Sequence, residues 1–407
     1  MPAKHSVFSR VGRKFSTQRI SERVQSMAVS AIKEMSLLAM EIPDTVNLAW
    51  GLPSFETPLA IRRRVAEELL ANPNIGKYAP PPGLPQLKVK IAERLAREKG
   101  ISADPQKEIL ITAGGMQALM MSFMTVLNPG EEVILTSPGF SSHYEQITLA
   151  SGVPVGVPLV EEGGWRLDLK AMRRAVTRRT RALVIVNPAN PTGTVFKEAE
   201  LRALAELAVE HELYLITDDP YEMYVYTPEK LFSPRSIPEA RDRVISCYSF
   251  SKEFAMTGWR VGWILAEEGL INQLLKVQDS FVICAPMISQ IASLIALEES
   301  YEPSLAMVEE MRERREIICR RLDRLPDLFA YVRPEGAYYI FPRLLPPQFR
   351  NSVDFCVKLM REAKVVVVPG SAFGPTGEGH VRMSYCFSRE EIEEAFDRIE
   401  RWWRQSA

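Results

Sequence analysis

The chain has little of what builds metal centres, disulfide frameworks or membrane spans. Its 407 residues include four histidines and five cysteines. His5, His143, His211 and His380 are dispersed and no two stand at metal-ligand spacing, so no metal site is expected. Cys247, Cys284, Cys319, Cys356 and Cys386 are scattered, odd in number and never spaced C-x-x-C. They read as reduced core thiols of a cytoplasmic protein. No apolar run approaches the roughly 20 residues that span a bilayer. Neither sign of charge dominates: 50 Lys and Arg against 51 Asp and Glu leave a net charge of −1, which gives no support to nucleic acid as the main partner. Internal repeats and low-complexity segments are lacking too.

What is present is an ordinary globular composition, with 46% apolar and 25% charged residues, in a chain long enough for more than one domain. The first 20 residues carry Lys4, Arg10, Arg13, Lys14 and Arg19 and no acid. That composition resembles a transit peptide. A basic arm is the preferred reading, because the stretch runs into a helical pattern over Ser21–Met40. From about Glu108 to Leu265, short apolar runs alternate with amphipathic ones. Strands are expected at Glu108–Thr112, Glu132–Leu135, Arg181–Val186, Leu213–Thr217, Val244–Tyr248 and Arg260–Leu265. Helices are expected at Met116–Leu127, Ser141–Ala150, Leu169–Val176 and Glu198–Glu212. This rhythm predicts an α/β layer with a mostly parallel sheet flanked by helices. Beyond it, a long charged helix (Ser304–Leu325) precedes short strands at Phe329–Val332, Ala337–Phe341, Val365–Val368 and Val381–Ser384. Helices at Ser352–Glu362 and Ser388–Trp403 complete a smaller α+β unit. The expected partition is residues 1–50 as an arm and part of the small domain, 51–295 as the large domain, and 296–407 as the small one.

The candidate functional residues fall where strands end or turn into helices, the ligand-binding edge of open α/β sheets. In Ser249-Phe250-Ser251-Lys252, with Arg260 eight residues later, an amine stands between two hydroxyls. That suits a carbonyl cofactor carrying a phosphate: the amine can condense with the aldehyde while hydroxyls and guanidinium hold the phosphate. Ala113-Gly114-Gly115-Met116 opens a helix whose free N–H groups can meet an anion. Phe140, after Ser137-Pro138-Gly139, can stack on a flat ring. Asn190, in Asn187-Pro188-Ala189-Asn190-Pro191-Thr192-Gly193, can donate to a ring oxygen. Asp218, at the end of a buried strand, needs a cationic partner, for which a protonated pyridine nitrogen qualifies. Tyr221 stands three residues on. Arg382, among apolar strand residues, suits a planar clamp on a carboxylate. Each admits a plainer reading alone: a solvated turn for Lys252, a tight turn for Gly115, core for Phe140, turn chemistry for Asn190, a cap for Asp218, an edge-strand cation for Arg382. Met116, Met120, Met121 and Met124, at helical spacing, read as core filler.

In this order the segments resemble the class I/II aminotransferases, fold-type I enzymes that use pyridoxal 5′-phosphate, over about residues 21–403. The motifs that carry the resemblance are Asn190-Pro191-Thr192-Gly193, Asp218-Asp219-Pro220-Tyr221 and Ser249-Phe250-Ser251-Lys252 with Arg260. The resemblance implies that Lys252 bonds the cofactor, that Asp218 partners the pyridine nitrogen, and that Tyr221 and Asn190 meet the ring hydroxyl. Phe140 would stack on the ring, and Gly115, Met116, Ser249 and Arg260 would cradle the phosphate. Arg382 would clamp the substrate carboxylate, and Gly51, in Gly51-Leu52-Pro53-Ser54, would belong to the substrate loop. Tyr78 would reach the phosphate of a neighbouring subunit in a homodimer with a shared site.

The implied reaction moves an amino group between an L-amino acid and a 2-oxo acid by ping-pong kinetics, with Lys252 carrying the proton. An aspartate-using branch of this family places a lysine where this chain has Met116, and often a tryptophan where it has Phe140. The expectation is therefore a neutral, apolar or aromatic donor, with 2-oxoglutarate as acceptor by family habit. Aspartate specificity through another cation stays open. So does a β-lyase or aminocyclopropane-carboxylate synthase-like reaction on the same scaffold. A ligand-sensing regulator is disfavoured, because no helix-turn-helix is evident before Gly51.

Overall fold

A strand that is apolar on both faces must be covered on both faces, and five such runs set the architecture. Ile109–Thr112, Glu132–Ser137, Thr180–Val186, Tyr214–Asp218 and Val244–Ser249 are buried along nearly their whole length in the computed structural model. The structure describes residues 20–27, 31–228 and 230–406. The five runs belong to an eight-stranded sheet. Its order is Ile109–Thr112, Gly262–Leu265, Val244–Ser249, Tyr214–Asp218, Thr180–Val186, Glu132–Ser137, Val153–Val160 and Arg166–Leu167. Only Gly262–Leu265 and Arg166–Leu167 run antiparallel to their neighbours. Side chains alternate across the sheet, so Leu110, Val133, Leu135, Ala182, Val184, Ile216 and Ile264 pack on one face with helices Gly115–Val126 and Glu268–Phe281. Ile109 and Ile111 face the other way, onto Leu59–Ala71, Pro85–Lys99 and Met287–Glu299.

This topology puts Thr112, Ser137, Val186, Asp218 and Ser249 on one edge of the sheet. The antiparallel strand enters at that edge: Gly262 is in register with both Thr112 and Ser249. A three-stranded antiparallel sheet of Tyr339–Ile340, Val381–Ser384 and Val368–Pro369 lies in the C-terminal third. Val46–Asn47 pairs in parallel with Val365–Val366, which ties the segment before Gly51 to that third. Among the described residues no helix is long and apolar enough to cross a membrane. All five cysteines are buried and free.

Several expectations shift. The helix expected over Ser21–Met40 is described as Glu22–Ser26 and Ala31–Met40, and the basic arm at residues 1–19 lies outside the described residues. The run Val365–Val368 serves two sheets, two residues each. The strand expected from Arg260 starts at Gly262, because Arg260 takes a left-handed backbone (φ 50°). The methionines after Gly115 divide: Met121 is core, while Met116 is 41% exposed and lines the cavity described next. Helices Pro85–Lys99 and Met287–Glu299, and the strand Val153–Val160, have no counterpart in the sequence reading.

Candidate active site

The left-handed turn at Arg260 swings its guanidinium back over the start of the helix Gly115–Val126. Gly114, at φ 88°, must be glycine: a Cβ there would overlap the Arg260 guanidinium. The unpaired N–H groups of that helix, Arg260 and Ser249 therefore form a cradle of donors and positive charge that can take an anion such as a phosphate. Ser249 closes its rim, 3.3 Å from where a Gly115 Cβ would stand. Its hydroxyl accepts from the Ser251 backbone N–H at 3.1 Å, capping the one-turn helix Phe250–Glu253 that bears Lys252.

Lys252 donates from Nζ to the Gly51 carbonyl at 2.6 Å, and Tyr224 donates to the Lys252 carbonyl at 3.0 Å. Gly51 also accepts from the Tyr338 hydroxyl at 3.2 Å, and a side chain at 51 would overlap the Tyr339 hydroxyl. Burial pushes the Lys252 amine down to about 8, with Arg382 and Arg260 acting in the same direction. A lysine is nucleophilic when neutral. The rate at which apoenzyme captures a phosphorylated pyridine aldehyde should therefore rise about tenfold per pH unit up to about pH 8 and then level off. Stopped-flow absorbance from about pH 6 to about pH 10 checks this. A rise continuing to the ordinary lysine value would contradict it.

Asp218 ends its strand 3.1 Å from His143 Nε2, and His143 stands edge-on to Phe140 with ring centroids 5.4 Å apart. The Tyr221 hydroxyl lies 3.0 Å from that of Tyr339, and burial pushes the Tyr221 phenol well up, so it stays protonated. Arg382 is 2% exposed, lies over the Tyr339 ring at 4.5 Å, and donates to Asn190 Oδ1 at 3.1 Å and to the Ala49 carbonyl. Its Nε has no hydrogen-bond partner among the described residues, and no carboxylate there pairs with it. A buried cation left this way calls for an anionic guest.

All the candidates except Tyr78 line one cavity of about 960 Å³. Tyr78 is 75% exposed and lies outside its wall. The sequence reading missed His143, set aside as one dispersed histidine, and Tyr339. The available signal was position: His143 is three residues past Phe140, on the first turn of a helix that starts at the ligand-binding edge. It also missed Leu37, Met40, Trp50 and Leu52, which add an apolar wall.

A phosphate cradle, a depressed buried lysine and a strand-end carboxylate on one cavity define an enzyme that works through a phosphorylated pyridine aldehyde, and the residues present fit pyridoxal 5′-phosphate. The family model "Aminotransferase class I and II" matches residues 43–399, and the chain belongs to that family. It is 40% identical to an aspartate aminotransferase of Pyrococcus abyssi, over 95% of this chain and 98% of the relative. It is 39% identical to aromatic-amino-acid aminotransferase 2 of Thermococcus litoralis, over 94% of this chain and 97% of the relative. The solved structure of Thermus thermophilus aspartate aminotransferase with maleate superposes with a TM-score of 0.87 at 38% identity, covering 94% of this chain and 99% of that one. The protein is thus a pyridoxal-phosphate-dependent aminotransferase of amino acids.

Proposed function

We propose that this aminotransferase prefers amino donors with uncharged apolar or aromatic side chains and passes the amino group to a 2-oxo acid such as 2-oxoglutarate. The carrying observation is the cavity wall: Met116 stands at the helix start, with Leu37, Met40, Trp50 and Leu52 nearby. Among the described residues the cations of the lining are Lys252, Arg260 and Arg382, and each has a task in this reading. The bound cofactor supplies an electron sink for the substrate's α-carbon. Lys252 would hold it and would carry the proton to and from that carbon. Asp218, oriented by His143, keeps a positive charge on the ring nitrogen, while Tyr221 and Asn190 hold the ring oxygen and Phe140 covers the ring. Gly115, Met116, Ser249 and Arg260 hold the phosphate, and Arg382 holds the substrate carboxylate beside Gly51.

The exposed Tyr78, outside the cavity of its own chain, supports a homodimer in which it serves the partner's site. The pairing of Val46–Asn47 with Val365–Val366 supports a small domain built from residues 1–50 and 296–407 around a large domain of 51–295. The buried free thiols support a cytoplasmic location.

A half-reaction screen tests the donor. The yellow holoenzyme is mixed with each amino acid and its bleaching is timed. Phenylalanine, tyrosine or leucine should react at least about tenfold faster than aspartate, and Met116→Lys should narrow or reverse the ratio. Fastest bleaching by aspartate would reject the apolar preference. Release of ammonia without conversion of the 2-oxo acid would identify a lyase instead.

A further inference from the structure

Behind the cofactor cavity, on the far side of the strand ends, lies a second group of charged side chains. The residues that follow the two central functional positions in the chain point into it. Asp219 follows Asp218, and successive strand residues face opposite ways. Glu253 follows Lys252 on a single helical turn, about 100° around its axis. The C-terminal end of the helix Pro85–Lys99 meets both. Arg94 Nη2 is 2.7 Å from Glu253 Oε1, and Arg94 Nε is 2.7 Å from Glu98 Oε2. Lys99 pairs with Glu222 and sits over the Tyr248 ring at 4.7 Å, and that ring stacks on Trp263 at 3.8 Å. Thr217 Oγ1 donates to Asp219 Oδ2 at 2.6 Å. The space enclosed is about 20 Å³, room for a single water.

Such a cluster is not needed to fill space, since charged groups are costly to bury and an apolar plug would pack as well. What distinguishes it is attachment. The turn Phe250–Glu253 is four residues long, far below the roughly 12 that make a helix self-supporting. Its place is set from outside, by the Ser249 cap, by Tyr224 on the Lys252 carbonyl, and by Arg94 on Glu253.

We infer that Arg94 and Lys99 are positioning residues, which hold Lys252 and Asp218 at their working places from behind, Arg94 through Glu253 and Lys99 through the cluster around Asp219 and Glu222. This rests on the roles proposed for Lys252 and Asp218. Arg94 is the stronger handle, because its guanidinium spans Glu98 on its own helix and Glu253 on the lysine turn. Loss of the clamp frees the turn by a fraction of an ångström, and misplacement on the scale of 1 Å costs about 10²-fold in rate.

The test uses the cofactor-loaded protein. Arg94→Gln should lower kcat about tenfold, with KM for the amino donor within about twofold. It should also move the pH midpoint of the lysine-linked cofactor absorbance by at least about half a unit. Arg94→Lys, which keeps the charge, should recover most of both. Where Arg94→Gln does not fold, Glu253→Gln removes the charge that Arg94 meets and Asp219→Asn the one beside Lys99, and both face the same readouts. A lowered melting temperature with unchanged kcat and an unchanged spectroscopic midpoint overturns the inference and leaves a merely structural ion pair. Peptide mapping of the borohydride-treated wild-type protein separates this from the underlying reading: a label elsewhere than Lys252 defeats the role of Lys252 itself.

Discussion

Lys252→Ala should leave the cofactor-loaded protein without the absorbance of a lysine-bound aldehyde and lower turnover by at least about 10²- to 10⁴-fold, the worth of positioned proton transfer alone. The reason is local. Lys252 is the only lysine in the wall of the cavity among the described residues, and it is held by Gly51 and Tyr224 on an externally braced turn. Burial keeps its amine near 8, so a usable fraction is neutral at physiological pH. Alanine removes both the attachment point and the proton carrier, and no neighbour can substitute: Arg260 and Arg382 are guanidiniums that stay charged. Absorbance scans and steady-state rates of wild type and variant check the expectation. Retention of a lysine-bound spectrum would place the attachment on another residue.

The second large effect is at Asp218. Asp218→Asn should keep cofactor bound while cutting turnover by about 10²- to 10⁴-fold, since removing one partner of a buried charge pair costs about 3–5 kcal/mol. Among the described residues the carboxylate has one hydrogen-bond partner, His143 at 3.1 Å, and it is buried at the strand end. Asparagine matches its shape but not its charge, so the loss isolates the electrostatic part. Cofactor affinity and kcat measured on the same preparation separate the two; near-normal kcat would remove Asp218 from the mechanism. His143→Asn should give a smaller loss, about tenfold, because it orients Asp218 and leaves the charge in place.

Much of the large sheet was legible because its strands are short, apolar throughout and separated by amphipathic helices. Thr180–Val186 and Val244–Ser249 could be placed to within one residue for that reason. The runs near the C-terminus were harder. Val365–Val368 reads as one strand, yet it divides between Val46–Asn47 on one side and Val381–Ser384 on the other, a partition that depends on chain segments far away in sequence. Arg260 was recognisable as a candidate phosphate ligand but was placed inside a strand, because nothing local announces a left-handed arginine. Its conformation follows from the register of Gly262 against Thr112 and Ser249.

By itself the sequence supplied the candidates: one amine, one carboxylate and two guanidiniums, with the carboxylate at a strand end. Those are properties of residue type and short-range spacing, and they survive without coordinates. Only the tertiary structure decided what surrounds them. It brought His143 to Asp218, Tyr339 to Tyr221 and Arg382, and the apolar side chains of Leu37, Met40 and Trp50 to the mouth of the cavity. It also set Arg94 against Glu253, more than 150 residues apart in the chain (roughly). Contacts of that separation are chosen by which helix covers which face of the sheet, a global packing outcome that no local pattern encodes.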